Sequence, residues 1–372
     1  MSPSSLDFTA DHPLTSAIQL LGWPKASRAQ AFAKWLESQS LTHQLKPETV
    51  RAASADASFR RYFRVDTAGA SLIIMDAPPD KENSQPFVEI AALMRTAGLL
   101  APEVLAWDSA QGFMLLDDLG QDTMMQVLDT AHAENNAALF GQALEVLLTW
   151  QQASRPSVLP PYDAALLQRE LQLFPDWYVG QHRGKTLSPA QAQVLQTSFS
   201  LLVARNLAAP MVFVHRDFMP RNLMMPWNTQ EPRLGVLDFQ DAVYGPITYD
   251  IASLMRDAFI SWEEDFCLDV TVRYWERARA LGMLDHDGWH NDFGAFYSAV
   301  EWMGLQRHLK VAGIFARLSL RDSKPKYLAD TPRFIAYIRA SCSRYRELTP
   351  LLRLIDDIED HQSLSGFAYG RV

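Results

Sequence analysis

The spacing of apolar positions changes character twice along the chain. Phe32, Trp35 and Leu36 recur at helical spacing behind Ser27, a residue type that caps helix starts, which predicts a helix over 26–45. From about 50 to 120 the period shortens. Phe59–Val65 alternates, Ser71–Met75 is a short apolar run, Thr67–Ala70 between them is a turn, and Gly112–Leu116 reads as another strand. Gln85–Ala97 returns to helical spacing. This stretch predicts a small β-rich lobe with one helix packed on it.

Beyond about residue 121 the pattern is mainly helical, with helices expected over 134–153, 163–180, 188–206, 248–260, 263–281, 288–318 and 331–357. Met211–His215 and Arg233–Asp238 interrupt it as short β-like segments flanking a loop, read as a hairpin. There is no internal repeat and no low-complexity tract. The expected fold class is α+β and bilobal. Residues 1–116 form an N-lobe with an N-terminal helical arm, 117–121 a hinge, and 122–372 a larger helical C-lobe.

Composition narrows the function classes. The 372 residues are 48% hydrophobic and 21% charged, which is ordinary globular composition. A net charge of −9 disfavours nucleic acid as a partner. Two cysteines, Cys267 and Cys342, exclude a disulfide scaffold and fit a reducing compartment. The first residues carry no basic and apolar signal pattern, and the apolar runs are far shorter than a membrane span of about 20 residues. A cytoplasmic monomer with no membrane partner is expected.

The chemistry concentrates in Phe213–Met225, which contains His215-x-Asp217-x-x-x-x-Asn222; Asp238 follows within Leu237–Asp241. Phosphoryl transfer needs one carboxylate to orient and accept the proton of an attacking hydroxyl. It needs a second carboxylate and an amide oxygen to hold magnesium against the donor phosphates. Magnesium takes hard oxygen ligands and keeps several waters, so one Asn and one Asp suffice. A single match to this spacing is weak evidence, and the second aspartate after an apolar run strengthens it.

On these residues the chain resembles the aminoglycoside phosphotransferase-like kinases, relatives of the protein kinases, over roughly 50–320. Gly245–Ala252 looks like that family's segment after the metal loop, in which Asp250 supports the catalytic loop. More closely, it is similar to bacterial N-acetylmuramate/N-acetylglucosamine anomeric kinases of cell-wall recycling, through Asp56–Arg64, Ile74–Pro79, the catalytic loop and Met303–Val311. The resemblance implies a bilobal protein-kinase-like fold, with Asp217 as catalytic base, Asn222 and Asp238 as Mg2+ ligands, and His215 and Asp250 in structural roles. It implies ATP as phosphate donor and the C1 hydroxyl of an amino sugar as acceptor.

Ser54–Ser58 is small-residue-rich and reads as a phosphate-covering turn, with Ser58 as an extra donor, or as a plain surface turn. The main chain around Leu116 would meet adenine, with Asp118 facing ribose or solvent. Where this fold usually carries a phosphate-binding Lys stands Met75, whose thioether compensates no charge. Arg60, Arg61 and Arg64 on the adjacent strand, with Arg60 and Arg64 on one face by alternation, and Arg221 are the candidate replacements, with Glu89 as a pairing partner. Each of them is also readable as a solvated surface residue.

On the acceptor side, Arg307 and Lys310 share a face of a helix at i, i+3 spacing, beside His308 and Trp302. Two readings stand: these residues bind a sugar and its lactyl carboxylate, or they form a solvated basic face over core aromatics. Asp241 either binds sugar hydroxyls or caps a turn. Other small hydroxyl acceptors (an amino alcohol or an aminoglycoside) and a non-catalytic nucleotide-binding module are the alternatives. A protein kinase is disfavoured, because no phosphosite-bearing activation segment lies between Asp238 and Asp250.

Overall fold

A computed structural model describes residues 18, 20–55, 59–226 and 232–361, with main chain alone at 54–55. The phosphate-turn residue Ser58 lies outside the described residues. The chain forms two compact units. One runs through Val127 and takes in Arg221–Asp241; the other comprises Leu128–Pro220 and the chain from Ala242 onward.

The first unit is built on an antiparallel five-stranded sheet of β1 (Lys46–Ala55), β2 (Arg61–Asp66), β3 (Ser71–Asp76), β4 (Val104–Asp108) and β5 (Phe113–Asp117), in the order β1-β2-β3-β5-β4. Helix α1 (Ala26–His43) lays Phe32, Trp35 and Leu36 against Phe63, Val65, Ile74, Phe113 and Leu115, which alternation aims at one sheet face. The expected strands are thus present; β1 and β4 are additional. At the end of β3 the fully buried Asp76 carboxylate pairs with both Arg28 and Arg61. Their guanidinium groups lie over Phe113 (4.0 Å) and Trp23 (3.9 Å), so two cations are packed as well as paired. Gly112, at φ 71°, makes the tight approach before β5: a Cβ there would stand 2.0 Å from the Ala77 carbonyl oxygen. Helix α2 (Gln85–Thr96) buries Phe87, Ile90, Ala91 and Met94, the i, i+3, i+4, i+7 stripe.

The segment Arg221–Asp241 packs with this unit. Its strands β7 (Leu223–Met224) and β8 (Gly235–Val236) pair with each other. Val236 N–H donates to the Leu100 carbonyl at 2.8 Å and Met225 N–H to the Asp122 carbonyl at 2.8 Å. The Phe239 ring packs at 4.9 Å, tilted, against Phe87.

The second unit is helical: α3 (Ala137–Gln152), α4 (Ala164–Leu173, widening into a π-helix over Phe174–His182), α5 (Pro189–Leu207), α6 (Thr248–Met255), α7 (Glu264–Ala280), α8 (Phe293–Leu320), α9 (Thr331–Arg344) and α10 (Thr349–Ile358). Side-chain caps start three of them: Asp163 accepts from Leu166 N–H at 2.8 Å, Ser188 and Gln191 form a capping box, and Asp292 accepts from Ala295 N–H at 2.9 Å. The expected helix over 331–357 is two, parted by a 3-10 turn at Arg346–Leu348, and the one over 248–260 ends at Met255. The expected hairpin is also corrected. β6 (Met211–Val214) pairs with β9 (Val243–Pro246), with Val214 opposite Val243, whereas Gly235–Val236 pairs with Leu223–Met224. Among the described residues no helix is long and apolar enough to cross a membrane.

Candidate active site

The predicted motif is divided between the two units, and each half has its own frame. In the second unit, β6 leads into the buried His215 and the chain turns through Arg216 at φ 76°. Asp250, on the first turns of α6 and fully buried, fixes this turn. Its two oxygens accept the main-chain N–H groups of His215 (2.7 Å) and Arg216 (3.0 Å). His215 Nδ1 then accepts the Asp217 N–H at 3.3 Å, so the imidazole sets the main chain that presents Asp217. Burial raises the Asp250 carboxyl to about 7, against the two N–H donors that favour its charged form.

A buried ionic cluster surrounds Asp217. Glu170, on α4, pairs with Arg216 and, at 3.0 Å, with Lys310 Nζ, and it also accepts the Tyr162 hydroxyl. Lys310 donates to the Tyr249 hydroxyl at 3.1 Å. Arg307 donates to the Arg256 carbonyl at 3.3 Å. Burial opposes ionisation of Asp217, but Lys310, Arg307, Arg216 and His215 outweigh it and hold the carboxyl below its ordinary value. Asp217 is therefore a carboxylate at neutral pH and a weak base. It can accept a hydrogen bond from an incoming hydroxyl and take its proton late in the reaction.

In the first unit, Asn222 is buried at the start of β7 and Asp238 lies just past β8, at φ 62°. The Leu237 N–H to Asn222 carbonyl bond of 2.9 Å ties the two stretches together, and Asn222 Nδ2 lies 3.4 Å from Asp238 Oδ2. Gln240 Nε2 donates to the other Asp238 oxygen at 2.9 Å. One carboxylate and one amide side chain thus converge, and the oxygens these two groups carry are the donor types that suit a cation retaining water and phosphate ligands. Gln240 is a neighbour the sequence reading missed, although it stands two residues past Asp238.

Residues 49–287 match the family model described as the phosphotransferase enzyme family. The chain belongs to the phosphotransferase enzyme family. It is 46% identical over 339 residues to the N-acetylmuramate/N-acetylglucosamine kinase of Pseudomonas putida, covering 89% of this chain and 97% of that one. It is 46% identical over 324 residues to the kinase of the same name from Neisseria meningitidis, covering 85% and 93%. Among solved structures, Plasmodium vivax ethanolamine kinase superposes with a TM-score of 0.59 over 94% of this chain and 99% of that one, at 12% identity, which shows a shared fold.

In this phosphotransferase several expected site residues are placed differently. Arg64 does not share a role with Arg60. It forks onto Asp118 (2.5 and 3.0 Å) and onto the Gly120 carbonyl (2.7 Å). Ser71 also donates to Asp118, so that carboxylate anchors the chain leaving β5 and is neither solvated nor open to ribose. Leu116 lies inside β5, its register partners Ile73 and Val104 on either side, so main-chain groups available to a base begin after Asp117. Glu89 is exposed and accepts from Gln85 at 2.7 Å; the acid that pairs with Arg60 is Glu82, at 3.1 Å.

On the acceptor side the solvated basic face is overturned: Arg307, His308 and Lys310 are all buried, because α8 is enclosed over most of Trp302–Ala316. Trp302 is completely buried under Arg205 and Tyr345, which leaves it no face for a sugar. His308 stacks on Tyr337 at 4.8 Å, and burial lowers its pKa well below the usual imidazole value, so it is neutral. Arg221 and Asp241 are both exposed. The sequence reading missed Glu170, the acid that Arg216 and Lys310 share. Its signal was a carboxylate on the apolar stripe of Leu167, Leu171 and Phe174.

Proposed function

We propose that this phosphotransferase moves the terminal phosphoryl group of ATP onto the anomeric hydroxyl of N-acetylmuramate or N-acetylglucosamine. The observation that carries the reaction type is the anchored Asp217, held ionised on a loop whose main chain Asp250 fixes. The acceptor is supported by the name shared by relatives 46% identical over nearly their whole length. An anomeric hydroxyl is more acidic than other sugar hydroxyls, which matches a weak base.

Asp217 orients this hydroxyl and takes its proton as the new P–O bond forms. Asn222 and Asp238 fit magnesium by donor type and by their convergence. Magnesium held there would neutralise charge on the donor phosphates. Lys310 and Arg307 supply positive potential to the Asp217 side, which favours the lactyl carboxylate of N-acetylmuramate. A reaction that consumes ATP and a cell-wall sugar fits the cytoplasm, where cell-wall recycling needs it.

The test is ADP release with Mg2+ and ATP against N-acetylmuramate, N-acetylglucosamine, choline and kanamycin. Phosphorus NMR then assigns the phosphorylated position. Turnover with the N-acetyl sugars alone is expected. Asp217→Asn is expected to lose about 10²–10⁴-fold in turnover while still binding ATP. Turnover with choline or kanamycin only overturns the acceptor, and an Asp217→Asn variant with normal turnover overturns the base.

A further inference from the structure

Met75 is fully buried and carries no charge, so a cation for the donor phosphates has to come from another residue. Arg61 is committed with Arg28 to Asp76, and Arg64 to Asp118 and Gly120. Arg60 is placed differently. It stands immediately before β2, only 8% exposed, with Nη2 3.1 Å from Glu82 Oε2. The other Glu82 oxygen accepts the Phe59 N–H at 3.3 Å, so one carboxylate holds both the guanidinium and the main chain leading into it. Burial works against the charge of Arg60. Tyr62, Glu82 and Asp238 more than offset this, which places the guanidinium within the field of the candidate metal carboxylate. A nearly buried guanidinium held by one carboxylate and acted on by the charge of the candidate metal carboxylate matches a planar, multi-donor anion receptor. The anion that belongs beside a magnesium carboxylate in a phosphotransferase is a polyphosphate.

We propose that Arg60 binds the β- and γ-phosphates of the nucleotide and that Glu82 is its positioning residue, the pair replacing the cation that Met75 does not provide. This rests on the kinase reading above, and the experiment separates the two. The full chain, as wild type, Arg60→Met, Arg60→Gln, Arg60→Lys and Glu82→Gln, is titrated calorimetrically with ATP and with ADP, each with Mg2+, and with adenosine. Wild type is expected to bind ATP more tightly than adenosine; equal affinities overturn the kinase reading itself.

Arg60→Met and Arg60→Gln are expected to lose about ten- to a hundredfold in ATP and ADP affinity, the range of a charge-assisted hydrogen-bond pair, with adenosine affinity unchanged. Arg60→Lys, which keeps charge without the fork, is expected to recover part of the loss. Glu82→Gln is expected to raise KM for ATP without moving KM for the sugar, and Glu82→Asp to restore it in part. Wild-type ATP affinity in the folded Arg60→Gln variant overturns the proposal, as does a parallel loss of ATP and adenosine binding, which marks a merely structural arginine.

Discussion

Asp250→Asn should abolish a pH dependence of stability that the wild type carries through this one carboxyl. The native carboxyl titrates at about 7 because it is buried, against 3.8 for the unfolded chain. A shift of about three units corresponds to about 4 kcal/mol at 1.36 kcal/mol per unit. The sign follows from proton binding. The native state binds the proton more tightly than the unfolded state, so this stability is fully present below pH 3.8 and lost as pH rises through 7. Between pH 5 and pH 8 the wild type should therefore lose about 3 kcal/mol relative to the variant, which does not titrate.

Asparagine also keeps only one acceptor for the two N–H groups of His215 and Arg216, a pH-independent cost of about 1–3 kcal/mol. The two contributions separate by slope and offset. Urea unfolding followed by tryptophan fluorescence at pH 5, 6, 7 and 8 measures both, and the difference between the two proteins cancels the other titrating groups. A difference that stays flat across the range refutes a raised native carboxyl. One that widens toward high pH in favour of the wild type refutes the sign.

Two further substitutions test the frame on either side. Glu170→Gln strands Arg216 and Lys310 beside a neutral amide in a buried site and should cost about 3–5 kcal/mol, read by chemical denaturation. Adding Lys310→Met should recover part of that loss, and strict additivity in the double-mutant cycle would show that the pair does not interact. Gly112→Ala forces a Cβ to within 2.0 Å of the Ala77 carbonyl at a left-handed φ. It should lower the melting temperature by several degrees, from strain of about 1–3 kcal/mol plus the shift of β3 away from β5. An unchanged melting temperature would mean that the β3–β5 connection is looser than its hydrogen bonds indicate.

What was legible in the sequence followed period and proximity. Phe32, Trp35 and Leu36, the alternation in β2 and the apolar run of β3 announce their elements because each buries one face. β4 does not, since Val104–Asp108 is half-buried along its whole length and leaves no alternating pattern. β9 does not either, because Gly245-Pro246 reads as a turn and its partner β6 is about thirty residues away. In the site, Asp217, Asn222 and Asp238 lie on one stretch of chain, where spacing makes a pattern, and Asp250 is reached only through the family resemblance of Gly245–Ala252. Glu82 and Glu170 are distant in sequence, and their roles exist only once the chain has folded. The solvated alternative on the acceptor side fails for the same reason. Arg307 and Lys310 at i, i+3 look like a solvated basic face, and only the acid on another helix shows why Lys310 is tolerated inside.

That buried charge bears directly on the chemistry. Lowering the Asp217 carboxyl with three neighbouring cations sacrifices base strength, which would be a poor design for abstracting a proton from an ordinary alcohol before phosphoryl transfer begins. In a loose transition state the attacking oxygen keeps its proton until the new bond is well advanced, and by then it is far more acidic. A weak, rigidly held carboxylate then has two advantages: it is ionised at every physiological pH, and it does not reprotonate early. The consequence is measurable. The pH profile of kcat should show no acid limb from Asp217 near neutrality, and a limb with an apparent pKa of about 7 would point instead to Asp250, whose protonation loosens its hold on the His215 and Arg216 main chain. Asp250→Asn distinguishes the two, since it removes such a limb only if Asp250 is its source.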